Sequence, residues 1–84
     1  MMIDHTRVRT VRNTRTRRRD GTVFWSMFRE LANCQHSTLV ECPPSMPRTD
    51  AAKAIRRARR TIRLAVECQR QNIIDQINFL AGEV

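Results

Sequence analysis

Arginine dominates the chemistry open to this chain. Arg7, Arg9, Arg15, Arg17 and Arg19 alternate through a stretch rich in Thr and Val, while Arg56, Arg57, Arg59, Arg60 and Arg63 crowd into a second. A guanidinium offers a planar fork of donors that matches phosphate or carboxylate oxygens, so both groups predict an anionic partner. Phe24 and Phe28 follow the first group closely, and rings interleaved with arginine suit the stacking of bases. The plain alternative is a solvated arginine face, which is what most charge runs are.

Other chemistry finds few groups. His5 and His36 are the only histidines, tyrosine is absent, and no Ser or Cys has a base placed by spacing beside it. An arginine-assisted ribonuclease built on His36 is the one hydrolytic arrangement these residues allow; the chain is expected not to be an enzyme. Cys34, His36, Cys42 and Cys68 are potential zinc ligands, but no C-x-x-C pair fixes them, and no metal or cofactor is predicted. Gly21 and Gly82, the only glycines, cannot form a phosphate-binding loop. Three cysteines make no even disulfide set and no signal peptide precedes them, which predicts a reduced, cytoplasmic protein. The longest apolar run, Val23 to Phe28, is broken by Ser26 and is too short to span a membrane.

Charge narrows the partner. Sixteen basic residues against 8 acidic give the 84-residue chain a net charge of +8. Arg48 to Arg63 has seven bases against Asp50, whereas Leu64 to Val84 has Arg70 against Glu67, Asp75 and Glu83. Lys53/Arg57, Arg56/Arg60 and Arg59/Arg63 are like-charged neighbours four apart, each costing a few tenths of a kcal/mol in a helix, and they oppose the helix dipole near its N-terminus. A polyanion would offset that repulsion. The leading expectation is a non-enzymatic nucleic-acid-binding accessory or regulatory protein. The alternative is a small inhibitor or modulator that docks its basic surface on an acidic host protein, of the single-module kind that phages and mobile elements encode.

One long helix must position the second arginine group. It is expected over residues 49–81, capped by Thr49 or Asp50 and stopped at Gly82, behind a stiff Pro-rich connector at 43–48. Small or apolar residues recur at Ala51, Ile55, Ala58, Ile62, Ala65/Val66, Gln69, Ile73 and Leu80, a single stripe. Such a helix is about 50 Å long, against a radius of gyration near 12 Å for a compact chain of this size. It must either kink near Glu67 to Asn72 or pack its exposed end on a second copy. Leu64, Cys68, Ile74 and Phe79 lie off the stripe and are the candidate homodimer surface.

The first arginine group belongs to a β-rich basic region at 5–42. Asp20-Gly21 fits a two-residue hairpin turn. That turn would pair Arg17 with Phe24, Arg15 with Ser26 and Asn13 with Phe28 on one face, and Thr16 with Trp25, Thr14 with Met27 and Thr10 with Leu31 on the face toward the helix. A three-residue loop would exchange the faces of the first strand. A rival reading makes Thr22 to Asn33 a short helix; a polar turn at Asn33 to Ser37 and a short third strand, Thr38 to Glu41, follow. The expected architecture is a single α+β domain: a basic antiparallel hairpin plus a short third strand packed on one long C-terminal helix.

Overall fold

A computed structural model describes residues 4–82. Three strands, β1 (Val8–Arg17), β2 (Val23–Leu31) and β3 (Cys34–Cys42), form an antiparallel sheet in chain order, followed by one helix, α1 (Arg48–Gly82). This is the α+β arrangement expected, with Thr22 to Asn33 in a strand rather than a helix.

The β1–β2 turn departs from expectation by one residue. Gly21 donates to the Arg18 carbonyl at 3.1 Å and Arg18 to the Thr22 carbonyl at 2.8 Å, so the loop is Arg19-Asp20-Gly21 with Gly21 at φ 88°. A three-residue loop closed by a left-handed glycine is the next commonest hairpin connection. The Asp20 carboxylate accepts from the Thr22 amide at 2.9 Å, and Thr22 holds the Asp20 carboxyl below its ordinary 3.8. The pairing becomes Arg17 with Val23, Thr16 with Phe24, Arg15 with Trp25, Thr14 with Ser26, Asn13 with Met27 and Arg12 with Phe28. The expected β1 pairs are therefore all displaced by one residue, and a one-residue slip turns every β1 side chain to the other face. A second irregularity lies between Val8 and Thr10, where the register shifts past Arg9.

The β3 strand is also longer than expected. A two-residue turn at Ala32-Asn33 leads straight into Cys34, which pairs with Leu31, so of the polar turn expected at Asn33 to Ser37 only Asn33 is turn and the rest is strand. Ala32 stands at φ 52°, a conformation that costs an alanine about 1 kcal/mol or more. The two turns make opposite demands. Gly21→Ala would place a Cβ 3.2 Å from the Pro44 Cγ at positive φ, whereas Ala32→Gly relieves strain. We expect melting temperatures to fall for the first and rise for the second, each by roughly 4–8 °C. Equal shifts of the same sign would contradict these geometries.

On the helix side, β2 and β3 supply Met27, Val40 and Cys42 to a core with Ala58 and Ile62, with Val23, Trp25, Met46, Ala51, Ala54 and Ile55 packed around it. The sheet-facing stripe thus forms as its spacing predicts, but only to the middle of the helix. Leu80, its last member, is 65% exposed. Pro47, not Thr49 or Asp50, stands at the helix entrance, its carbonyl accepting from the Asp50 and Ala51 amides at 3.0 Å each. Asp50 falls inside the first turn, where its charge still favours the dipole. The helix runs unbroken through Glu67 to Asn72, held there by Gln69, whose amide donates to the Leu31 carbonyl at 2.8 Å while its oxygen meets His36 Nε2. The radius of gyration is 17.2 Å and the long dimension 60 Å, so the C-terminal turns overhang the sheet.

Candidate nucleic-acid interface

The helix lies over β2 and β3 and leaves β1 uncovered. Between α1 and the overhanging strand is a groove of about 840 Å³. Its apolar lining is Val8, Val11, Ile62 and Val66; its charged lining is Arg29, Lys53, Arg56, Arg57, Arg59, Arg60, Arg63 and Arg70, with Glu67 the one acid. The spacing of the helix produces this directly. Ile62 and Val66 lie on the core stripe, and Arg59, Arg63 and Arg56 stand about 60–120° round from Ile62 at 100° per residue, the side on which β1 runs.

Few of these cations have an internal partner. Among the described residues only two ion pairs form, Arg9 with Glu30 at 3.3 Å and Arg70 with Glu67. Arg29 is half-buried and donates to Asn13 Oδ1 at 2.9 Å and to the Phe28 carbonyl at 2.7 Å, while Arg70 Nε donates to the Thr6 carbonyl at 2.9 Å. Arg29 thus braces β2 to β1, and Arg70 ties the segment before β1 to the helix. Arg56, Arg57, Arg59, Arg60 and Arg63 are all exposed.

The β1 candidates divide. Arg15 lies over the Trp25 ring at 5.4 Å and Arg17 opposes Val23, both on the helix side of the sheet, where the groove is. That corrects their expected place beside the Phe rings. Phe24 and Phe28 do share the outer face, half-buried, but the guanidinium groups over them belong to Arg18, at 4.6 Å, and Arg12, at 5.1 Å. Thr10, Thr14 and Thr16 stand with them rather than toward the helix. Arg9 is spent on structure, donating to the Ala32 carbonyl beside its Glu30 pair. Arg7 and Arg19 are exposed in the segment before β1 and in the hairpin loop. The sequence pattern does not single out Arg12, Arg18 or Arg29; an odd loop length is the signal that would have placed Arg12 and Arg18, whereas Arg29 follows from sharing the parity of Trp25, Met27 and Leu31 on β2.

The remaining candidates lie apart from the groove. Leu64, Cys68 and Phe79 are exposed on the flank of α1 away from β1, but Ile74 is half-buried and six residues from Cys68, about 120° round the helix. His36 is engaged by Gln69 and all three cysteines are free. Among the described residues no three His, Cys, Asp or Glu side chains gather as metal ligands, and no helix is long and apolar enough to cross a membrane. No protein-family model, curated protein or solved structure matches this chain.

Proposed function

We propose that the protein binds nucleic acid without transforming it, seating the phosphate backbone in the groove between β1 and the first half of α1, and that it does so as a homodimer. The observation that carries this is the groove's charge: eight cations line it against a single carboxylate that Arg70 already pairs. Phosphates arriving there displace condensed counter-ions and relieve the like-charge crowding along Arg56 to Arg63. Arg15 and Arg17 extend the same field along β1.

A second reading has one specific observation behind it. Val11 is 60% exposed on the groove floor, and an acidic protein segment carrying an apolar side chain would cover it where a phosphate would not. Titration of a labelled duplex and a labelled single strand at 50 and 200 mM salt separates the two. For about five phosphate contacts, log K should fall with log salt at a slope of roughly −4, with micromolar or tighter affinity at the lower salt. No binding at 50 mM salt would end the nucleic-acid reading, and one stoichiometric acidic protein retained from nuclease-treated lysate would favour the second.

A further inference from the structure

The sheet has two open edges of different character. Along β1, four arginines in ten residues set like charges against any strand that approaches. Along β3, nine residues pair with β2 without a bulge and include neither proline nor Lys or Arg; Glu41 is the only carboxylate. A long, regular, weakly charged edge is a template for another strand. We propose that β3 pairs antiparallel with β3 of a second copy about a two-fold axis at Thr38, joining two sheets into one of six strands.

The backbone supports that register. The two-residue turn makes Leu31 and Cys34 a hydrogen-bonded pair, so alternate residues from Cys34 to Cys42 direct their amides and carbonyls to β2. Gln35, Ser37, Leu39 and Glu41 direct theirs outward, and all four are exposed, Leu39 to 63%. With Thr38 on the axis, Ser37 meets the partner's Leu39 and Gln35 the partner's Glu41, outward groups facing outward groups along the whole strand. The pairing keeps the helix side of each sheet on one face.

The helices then meet at a spacing their side chains permit. With α1 midway between β2 and β3, a strand separation of about 4.8 Å across the axis sets the two antiparallel helix axes about 10 Å apart, a packing distance. The flank turned to the partner is the one away from the arginines. It carries Ala54, Ala58, Thr61, Ala65 and Cys68 at alternating four- and three-residue steps. The antiparallel arrangement argues for a second copy as the occupant: it sets the basic half of each helix, Arg48 to Arg63, level with the partner's Leu64 to Gly82, where Glu67 and Asp75 stand against Arg70, rather than beside the partner's own basic half. Gln69 at the β2–β3 turn and Ile62 near Met27 place the axis near Thr61 to Ala65, so the overhanging Phe79, 66% exposed, comes level with the partner's Pro47. Both basic grooves remain open at the outer margins.

This interface rests on the dimeric reading above. Sedimentation of the full chain should give twice the 9.9 kDa monomer mass. Leu39→Pro removes an outward amide and leaves the β2 ladder intact, and Thr61→Arg puts a long cation into the helix seam; each should raise the dimer dissociation constant at least 100-fold with an unchanged circular-dichroism spectrum. In a chain carrying Cys34→Ser, Cys42→Ala and Cys68→Ser, Thr38→Cys should cross-link on mild oxidation, because non-hydrogen-bonded partners have Cα atoms about 4.5 Å apart. A dimer that fails to cross-link and resists Thr61→Arg overturns this interface alone. A monomeric chain overturns the dimeric reading with it, and neither result touches the salt titration of the groove.

Discussion

Changing Arg56, Arg60 and Arg63 together to Gln should lower nucleic-acid affinity by two to three orders of magnitude at 0.1 M salt and leave the protein folded. The three line one wall of the groove, are exposed, and form no ion pair among the described residues. If each meets a phosphate, its loss removes about 0.9 from the salt slope on a duplex; three removed change log K by about 2.7 per decade of salt below 1 M. The loss should be uniform across sequences, since phosphate contacts position a ligand without reading it. Stability should hold or rise slightly, because the Arg56/Arg60 repulsion at four-residue spacing disappears. The control is Arg12 and Arg18 changed together to Gln, two charges that lie over Phe28 and Phe24 on the opposite face of the sheet. A loss in log K two thirds as large from this double variant would mean that net charge, not the groove, determines binding.

That control exists because of a single residue in a turn. The alternation of Thr and Val with Arg indicates a strand, and Trp25, Met27 and Leu31 are legible as the face that packs on the helix. Which arginines join them depends on whether two or three residues close the hairpin, and Asp20-Gly21 suits both. The deciding contacts, Arg18 with Thr22 and Gly21 with Arg18, are local hydrogen bonds that no hydrophobic pattern encodes. Ala32 raises the same difficulty in a different form. An alanine at positive φ carries no turn signal, so β3 is read as starting four residues late, although the Leu31–Cys34 pairing fixes its start. The helix was far more legible, because a stripe repeated over many turns outweighs any one residue. Even there, the stripe from Ile73 to Leu80 says only that the helix is amphipathic; how far the sheet reaches beneath it is a tertiary fact.

The largest loss of stability should come from Leu31→Ala. Leu31 has 0% of its surface exposed and is the largest fully buried side chain among the described residues. It also closes β2 at the point where the sheet is tied to the far half of the helix, its carbonyl accepting from Gln69. Truncating a buried leucine to alanine costs about 3–5 kcal/mol, the upper part of that range applying where the surroundings cannot collapse into the space. Here the Ala32-Asn33 turn, strained at Ala32, and the Arg9 bond to the Ala32 carbonyl hold the backbone in place, so little collapse is open to it. A chain of this length has on the order of 4–13 kcal/mol of stability in total. The expected fall in melting temperature is about 15–25 °C, read by circular dichroism. Leu31→Met, which conserves volume, should cost less than about 1.5 kcal/mol. Leu31 does not line the groove, so the remaining folded Leu31→Ala protein should bind nucleic acid as the parent does, with the same salt slope. A fall below about 5 °C would mean that the Leu31 end contributes little to the core, leaving Met27, Val40 and Ile62 to hold sheet and helix together.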